Sequence, residues 1–451
     1  MLVRRLFPLV LLAIFIAHSF LGAFVAKNHA EFFLHNDGWE YEELAVSLAQ
    51  TGTLAIKESR YYEAPRDKVI PDGYRAPLLP ALGAIAVTIC GGGGSNYLAF
   101  AILQTALFTG AAALIFLITR RLARADFAAY LAMGLFIANP LCEQYSLQFC
   151  SETLFTLCLL LFIYLALRAG EWRRLPQRKR DWLIIGLAVA AALAFYARQT
   201  GFVLFPVFGA VMIYGAVRAW RRGRRVAKMK LRGALIFAAV GILLIAPWGA
   251  RNYVHFGEFN PAGFQGGFVF FVGNNRDNLA AYRAAPNGVD GKNFKENQER
   301  GWNRAIALVK ALPLEYHAQP AAQSRYMTEQ ARREISAMGA GNYLYLLAAR
   351  AWMFVRPWSV KGLNPDYQFW LLTIYNLALY AAASWGIFIC RGRGAAVIGL
   401  VILGGVAAHT FVHVYMRHRV PFLEPALIIY AAAAISVILQ KVWRRLRARP
   451  V

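Results

Sequence analysis

Acidic residues are scarce in this chain, since 24 Asp and Glu residues stand against 49 Lys and Arg residues in a length of 451. Cysteine is scarce too: there are five, and their spacing matches no metal-binding pattern. Cys142 and Cys150 remain candidates for a disulfide. No glycine-rich phosphate loop or dinucleotide fingerprint follows a strand, and the sequence has no internal repeat or low-complexity segment. These absences exclude a cysteine metal site and the common nucleotide-binding loops.

Long apolar runs dominate what is present. Hydrophobic residues make up 58% of the chain, and the mean hydropathy is +0.42. Several runs approach the roughly 20 residues that cross a bilayer as a helix. The runs are continuous and do not alternate with polar residues, so they predict helices and not a membrane barrel. The net charge of +25 does not indicate nucleic acid, because much of the Lys and Arg lies in short loops between apolar runs.

Ten membrane spans are predicted, and 127–140 is the least regular of them because it is short. The predicted spans are 6–25, 97–118, 127–140, 151–168, 182–197, 201–217, 233–250, 368–389, 395–414 and 421–440. The first span follows Arg4 and Arg5 and resembles a signal peptide. Phe24-Val25-Ala26 is not a small-residue cleavage site, so the segment is predicted to be an uncleaved anchor.

Basic clusters between the spans predict the orientation. With a cytoplasmic N-terminus every cluster falls on the cytoplasmic side, as the positive-inside bias requires. The clusters are Arg120–Arg124, Arg173–Arg180, Arg218–Arg232, Arg391–Arg393 and Lys441–Arg449. This agreement holds only if the apolar run Pro77–Cys90 does not span. Its length of about 14 residues is typical of an interfacial segment, and Gly91–Gly94 ends it.

This orientation divides the chain into three parts. Residues 1–250 form an N-terminal transmembrane module, which contains the first loop region (26–96). Residues 251–366 are predicted to form the second loop region, an outer portion of mixed structure, and residues 367–451 to form the C-terminal transmembrane helices. Juxtamembrane helices are predicted in the loop regions at 38–50, 77–90, 323–338 and 342–355.

An acidic motif lies just after the first span. It is Asp37-x3-Tyr41-x3-Ala45-x2-Leu48-x3-Gly52, and Arg75-x-Pro77-x2-Pro80 follows it. Later motifs are Pro140 with Ser151-Glu152 opening a span, Arg198 closing one, Pro247-Trp248-x2-Arg251-Asn252-Tyr253 with Gly273-Asn274-Asn275, and Arg417-His418-Arg419-Val420-Pro421 with Pro425. In this order the motifs resemble the GT-C glycosyltransferases, and in particular bacterial protein O-mannosyltransferase-like and aminoarabinose transferase-like enzymes. His418 stands where that family usually has Tyr.

The resemblance implies an all-α polytopic membrane protein with a GT-C-like bundle of about ten transmembrane helices. It also implies a multi-pass transferase of the bacterial cytoplasmic membrane with its active site facing the periplasm. Such an enzyme moves a sugar from a polyprenyl-phosphate carrier to a lipid, glycan or protein acceptor. Membrane lipids are expected partners and nucleic acid is not. A lipid-linked glycan ligase and a non-enzymatic lipid or glycan transporter are the alternatives. A transporter would need broken helices in matching halves, which the sequence does not show.

The resemblance makes Asp37 the expected catalytic residue. A carboxylate within hydrogen-bond reach can remove the proton of an acceptor hydroxyl as it attacks the anomeric carbon. The alternative is that Asp37 only caps the helix that follows it, since Asp is a favoured N-cap residue. Glu152 opens a span, where a carboxylate is favourable for the helix dipole, and that role is preferred for it over catalysis.

A lipid-phosphate leaving group needs cations more than it needs an acid. Arginine binds phosphate through two parallel donors, which lysine cannot do. Arg75, Arg417, Arg419 and Arg251 are therefore expected to bind the donor phosphate, with Arg198 as the next candidate. The alternative for each is an interfacial arginine that reaches the lipid head groups.

Glu40, Tyr41 and His418 are expected to line the site. Some members of the resembled family use a second acid beside the first-loop Asp, and Glu40 and Glu143 are candidates for that position. His29 and His35 flank Asp37 without a fixed spacing. No cofactor is assigned on this basis, and a divalent metal remains open.

Overall fold

The computed structural model describes residues 2–35, 37–56, 70–90, 96–169, 175–221, 223–286, 291–317, 319–361, 366–390 and 393–447. Gly91–Gly94, together with Arg173 and Arg174 of one basic cluster, lie outside these ranges. Within them the chain is helical except for turns and one antiparallel strand pair, β1 (Ala55–Ile56) with β2 (Ile70–Pro71).

Nineteen helices follow one another along the described parts of the chain. The first eight are α1 (Leu2–Asn28), α2 (Ala30–Phe33), α3 (Gly38–Thr51), α4 (Leu78–Ile89), α5 (Asn96–Ala123), α6 (Asp126–Ile137), α7 (Pro140–Ser146) and α8 (Ser151–Ala169). The next three are α9 (Gln177–Ala197), α10 (Leu204–Trp220) and α11 (Arg224–Phe256). The last eight are α12 (Gln265–Gly273), α13 (Arg276–Ala284), α14 (Gly291–Lys310), α15 (Leu314–His317), α16 (Pro320–Val355), α17 (Asp366–Ile389), α18 (Arg393–Val412) and α19 (Glu424–Arg447).

Nine helices of the described chain are long and apolar enough to cross a membrane. They are α1, α5, α8, α9, α10 with the 3₁₀ turn Gln199–Val203 before it, α11, α17, α18 and α19. Each coincides with a predicted span. The predicted all-α polytopic architecture is therefore confirmed.

The remaining predicted span, 127–140, is a broken helix. The apolar helix α6 ends at Ile137, and Asn139 then caps α7 by accepting hydrogen bonds from the backbone amides of Leu141 and Cys142 at 3.1 and 3.0 Å. Pro140 at the first position of α7 lacks an N–H, so it begins a helix but cannot continue one. Together α6 and α7 return the chain from the Arg120 end of α5 to the level at which α8 begins.

Cys142 and Cys150 are both buried and both free, so the candidate disulfide between them does not form. Cys142 lies within α7, whereas Cys150 lies just before α8, where its sulfur faces the carbonyl oxygen of His35 at 3.4 Å. The sequence could not predict that the two cysteines stay unpaired, because the helix break at Asn139 changes the direction in which α7 runs.

Small residues hold the bundle together. Ala111 and Ala112 of α5 have no exposed surface, and a Cβ at Gly386 of α17 would overlap the carbonyl oxygen of Tyr430 in α19. Lipid tails are as apolar as leucine, so burying apolar side chains between membrane helices gains little over leaving them in lipid. Close approach of the helix backbones, which small residues allow, drives such packing instead.

The basic clusters lie at one end of the bundle wherever they are described. Arg232 at the start of α11 pairs with Asp181 at the start of α9 at 2.9 Å, and Arg120 at the end of α5 pairs with Asp126 at 2.6 Å. Gly394 of α18 lies against Leu122 and would meet it if it carried a Cβ. The described parts of the two loop regions lie at the opposite end.

In the first loop region, α3 and α4 follow the predicted surface helices closely. Helix α4 has 12 residues, too few to span, and Gly83 in it lies so close to Ala45 of α3 that a Cβ would overlap the alanine side chain. The antiparallel pair β1–β2 connects them. The second loop region was expected to be mixed, and its described residues contain helices, turns and no strand. Its two predicted helices form one element, α16, kinked at Gly339, which has a φ of +77°.

Candidate active site between the loop regions and the bundle

A cavity of about 930 Å³ lies where the two loop regions meet the end of the helix bundle. The first loop region contributes Asp37, Tyr41 and Arg75 to its wall, and the second contributes Gln265, Lys295 and Trp302. From the bundle come Arg198 and the segment from Ala408 to His418. A cavity that is partly apolar and holds a few convergent charged groups is typical of a small-molecule site.

Asp37 is the N-cap residue of α3, but its side chain makes no capping hydrogen bond. Its two carboxylate oxygens are instead held by two arginines. Oδ1 accepts from Arg75 Nη2 at 3.0 Å, and Oδ2 lies 3.1 Å from Arg417 Nη2. The residue is therefore the point at which the first loop region joins the C-terminal helices.

The ion pairs continue on both sides of Asp37. Arg75 also donates from Nε to Glu40, a side chain on the first turn of α3 with 1% exposure. On the other side Arg417 Nε lies 3.7 Å from Glu152 Oε1, and Arg198 Nη1 lies 2.7 Å from the same oxygen. Charges of opposite sign thus alternate along the cavity in the order Glu40, Arg75, Asp37, Arg417, Glu152 and Arg198.

Arg75 is positioned by the loop before α4. The carboxylate of Asp72 accepts the backbone N–H groups of Tyr74 and Arg75 at 3.2 and 2.7 Å. Tyr74 in turn donates its hydroxyl to Gln323 of α16 at 2.6 Å, which ties the loop to the second loop region. Burial raises the pKa of Asp72 to about 6, although the two backbone hydrogen bonds act in the other direction.

Arg251 does not line the cavity. Its Nη1 donates to the backbone oxygen of Asp72 at 2.6 Å and to Asn252 Oδ1 at 2.9 Å, while the guanidinium lies over the Trp248 ring at 4.8 Å. The structure thus places Arg251 behind the loop that carries Arg75, where it holds the backbone and does not face the cavity.

Arg417 and Arg419 face opposite ways. Arg417 lines the cavity, whereas Arg419 has no exposed surface and binds Glu424 through Nε at 2.7 Å and Nη2 at 2.6 Å. Both lie in the 3₁₀ turn Met416–Arg419, which has about three residues per turn, so residues two apart point in different directions. The structure therefore brings Arg417, and not Arg419, to Asp37.

Arg417 keeps one donor that no described residue uses. Its Nη1 is buried without a hydrogen-bond partner in the described chain. Burial lowers the pKa of Arg417, but the carboxylates of Asp37 and Glu152 raise it by more than burial lowers it. The net shift of the pKa is therefore upward, and the guanidinium stays charged.

Glu152 and Arg198 are the site residues to which sequence reasoning gave a lesser role. Glu152 opens α8 with 2% exposure and sits between two guanidiniums, which is more than a helix-dipole partner requires. The available signal was their placement at the ends of two spans on the same predicted side. The histidines His409 and His413 were missed, although a spacing of four residues in the sequence is typical of one helix face. In the structure His409 lies in the last turn of α18 and His413 directly follows the helix.

Of the residues predicted to line the site, Tyr41 and His418 border the cavity, while Glu40 lies behind it. Tyr41 is 4% exposed, and burial raises the pKa of its hydroxyl to about 12. Among the described residues no three His, Cys, Asp or Glu side chains form a group that could hold a metal ion. Oxygens of Asp37 and of Glu40, the candidate second acid, are engaged by Arg75.

Comparison with known proteins supports the same assignment of fold. A family model described as dolichyl-phosphate-mannose-protein mannosyltransferase matches residues 74–250, less than half of the chain. No curated protein sequence matches the chain.

Solved structures match over nearly the whole chain. The archaeal oligosaccharyltransferase AglB from Archaeoglobus fulgidus, in complex with an inhibitory peptide and a dolichol-phosphate, matches with a TM-score of 0.55 at 14% identity over 98% of this chain and 52% of that chain. An apo form of the oligosaccharyltransferase from that organism matches with a TM-score of 0.56 at 14% identity, with the same coverage of 98% and 52%. ArnT from Cupriavidus metallidurans bound to undecaprenyl phosphate matches with a TM-score of 0.41 at 13% identity over 94% of this chain and 77% of that chain.

The chain thus spans about half the length of the oligosaccharyltransferase, which is therefore the longer protein. The match over that half confirms the predicted fold, a GT-C-like bundle of membrane helices. The family model and the structural matches together confirm the predicted resemblance to GT-C glycosyltransferases.

Proposed function

We propose that this protein is a membrane glycosyltransferase that moves a sugar from a polyprenyl-phosphate carrier to an acceptor. The observation that carries the proposal is the meeting of Asp37 and Arg417 in a cavity beside the apolar bundle. A carboxylate and a cation with an unused donor are the two groups that transfer from a lipid phosphate requires.

Arg417 is the proposed donor-phosphate ligand, with Arg198 and Arg75 beside it. The side chains of Arg417 and Arg198 are 17% and 15% exposed, so both reach the cavity while remaining largely desolvated. Electrostatic attraction is strong in such surroundings. A phosphate that leaves as an anion needs this stabilisation more than it needs a proton.

Asp37 is the proposed general base. Until a donor is bound, the two guanidiniums at 3.0 and 3.1 Å stabilise its negative charge and weaken it as a base. When the donor phosphate binds Arg417, the negative phosphate offsets part of that charge and Asp37 becomes more basic. The acceptor hydroxyl then gives its proton to Asp37 as its oxygen forms the new bond to the anomeric carbon and the phosphate leaves.

Each part of the chain has a proposed role in this site. In the proposal the first loop region (26–96) carries the catalytic carboxylate within an N-terminal module of residues 1–250. The second loop region (251–366) covers the cavity, and residues 367–451 supply Arg417. Glu40 and Arg251 position Arg75, and Arg419 stabilises the turn that holds Arg417.

The proposed location is the bacterial cytoplasmic membrane, with the site facing the periplasm. The support is that the described basic clusters lie at the end of the bundle away from the site, where the positive-inside bias puts the cytoplasm. Single cysteines introduced at Lys295 and Lys179, with Cys90 replaced by Ser, test this. A membrane-impermeant thiol reagent added to intact cells should label the first position and not the second, and the reverse pattern would overturn the orientation.

The function itself is tested with purified protein in vesicles and a set of radiolabelled polyprenyl-phosphate sugars. Lipid, glycan and protein acceptors are supplied, and the labelled product is identified. We expect transfer by the parent and transfer slower by about 100-fold or more by Asp37→Asn. Transfer of a preassembled glycan instead of a single sugar would indicate a ligase. Movement of the carrier across the vesicle membrane without bond cleavage would overturn the enzymatic proposal.

A further inference from the structure

Three histidines form one wall of the cavity. His409 lies in the last turn of α18, His413 directly follows that helix, and His418 lies in the 3₁₀ turn that carries Arg417. The ring centroids of His409 and His418 are 4.6 Å apart, and those of His413 and His418 are 6.4 Å apart. Tyr415 completes the group, with its ring 4.2 Å from that of His413. We call these four residues the histidine wall, and all of them line the cavity.

His413 is the member whose polar atoms lack partners. It is 3% exposed, yet neither Nδ1 nor Nε2 has a hydrogen-bond partner in the described part of the chain. Burying a polar group without a hydrogen bond costs free energy, so native proteins seldom leave one in this state. The ring borders a cavity with room for a ligand, which would supply the missing partners.

The other two histidines have their tautomers set by the backbone. His418 Nδ1 accepts the N–H of Tyr415 at 3.2 Å, so the neutral ring carries its proton on Nε2. His409 Nδ1 lies 2.8 Å from the carbonyl oxygen of Gly405, so this ring carries its proton on Nδ1 and keeps Nε2 as an acceptor. The histidine wall thus contains both a donor and an acceptor nitrogen.

Low pKa values keep the imidazoles of His413 and His418 neutral at physiological pH. Burial, followed by the charges of Arg350 and Arg417, lowers the pKa of His413 to about 3. Burial also lowers the pKa of His418 well below its usual value. Phosphate oxygens only accept hydrogen bonds, so a phosphate would leave the acceptor nitrogens of neutral imidazoles unused. Sugar hydroxyls both donate and accept, which matches such a surface.

We propose that the histidine wall binds the sugar of the donor and that His413 is a specificity-determining residue, through hydrogen bonds to a sugar hydroxyl. This rests on the proposed function, in which Arg417 holds the adjacent phosphate. The two groups are neighbours: the Arg417 guanidinium lies 5.8 Å from the centroid of the Tyr415 ring. A phosphate bound to Arg417 therefore has its sugar beside the histidine wall.

The same surroundings define the class of sugar. Three arginines face the cavity, and Asp37 is the one acid among its described lining residues, where it is already paired with two of them. A cationic amino sugar would meet the positive charge of the arginines, and the one lining carboxylate is already paired with two of them. The site therefore takes a neutral, hydroxyl-bearing sugar.

The test compares the bare carrier with the sugar-bearing carrier on full-length protein in detergent. Affinities are measured for polyprenyl phosphate, polyprenyl-phosphate mannose and polyprenyl-phosphate aminoarabinose. The variants are His413→Phe, which keeps the ring and removes both nitrogens, and His413→Gln, which restores one donor and one acceptor. His255→Phe is the matched control, because His255 is exposed at the end of α11 and away from the cavity.

We expect the parent to bind the mannose carrier more tightly than the bare carrier, and the aminoarabinose carrier no more tightly than the bare one. His413→Phe should lose about tenfold in affinity for the mannose carrier, the effect of one hydrogen bond, with no change for bare polyprenyl phosphate. His413→Gln should recover part of the loss, and the control should match the parent.

Two results would overturn the inference. One is an equal loss for bare and mannose-bearing carriers in His413→Phe, which would make His413 a phosphate-site or structural residue. The other is tighter binding of the aminoarabinose carrier by the parent. If the parent binds no carrier at all, then the proposed function fails and the inference fails with it. Normal carrier binding with unchanged His413 variants removes the inference alone.

Discussion

Replacing Asp37 by Asn separates two properties of its carboxylate, the ability to take a proton and the charge between two arginines. Asparagine keeps the shape and can still accept a hydrogen bond from Arg75 or Arg417. It cannot act as a general base, whose contribution to rate is typically 10²- to 10⁴-fold. We therefore expect transfer by Asp37→Asn to fall by about 100-fold or more.

Donor binding should change in the opposite direction. A carboxylate about 6 Å from the bound phosphate repels it by about 3 kcal/mol at an effective dielectric constant of about 20. The Asp37 side chain is 12% exposed, and the open cavity admits solvent that reduces this figure to roughly 1 kcal/mol. Asp37→Asn should therefore bind polyprenyl phosphate about fivefold more tightly than the parent.

The assay is single-turnover transfer from a labelled donor, together with carrier affinity measured on the same preparation. Glu40→Gln is the matched control. It removes an acid from the same series of ion pairs, but Glu40, unlike Asp37, does not line the cavity. Its transfer rate should fall far less than that of Asp37→Asn. Near-normal turnover in Asp37→Asn would refute the role as base, and loss of carrier binding would show that Asp37 mainly positions the arginines.

Three further outcomes are expected. Arg417→Ala should weaken carrier affinity by about 10- to 100-fold. Arg417→Lys should recover only part of the lost affinity, because lysine lacks the paired donors of arginine. Equal carrier affinity in the parent and both variants would place the phosphate elsewhere. Arg419→Ala should leave Glu424 buried and uncompensated and lower the unfolding free energy by about 3–5 kcal/mol, whereas Arg120→Ala, in an exposed pair, should change the melting temperature little. Gly386→Ala should separate α17 from α19 and lower the melting temperature, and an unchanged melting curve would contradict the packing argument.

Much of the fold could be predicted from the sequence because the signals are local. An apolar run of about 20 residues crosses a bilayer as a helix whatever its neighbours are. Basic clusters then order the spans by side, and a 12-residue run such as α4 is too short to alter that order. The break in α6–α7 was also encoded locally, by Asn139 and Pro140, but a hydropathy pattern does not register it.

The candidate site depended on the tertiary structure, because its ion pairs join segments that are distant in the chain. The sequence placed Asp37, Arg75 and the Arg417–Arg419 segment at one end of the bundle. It could not decide which of Arg417 and Arg419 faces Asp37, since that depends on the direction of residues in one 3₁₀ turn. Nor could it show that Arg251 holds a backbone loop, or that Glu152 and Arg198 extend the series of charges.

The sequence by itself predicted which segments are long and apolar enough to cross a membrane, which loops share a side, and that an acid and several arginines lie at one end. Only the tertiary structure decided which charges pair, which guanidinium keeps an unused donor, and which histidines form the wall of the cavity. The physical reason is range: hydropathy and helix length act within a segment, whereas an ion pair or a cavity wall exists only once several helices have packed.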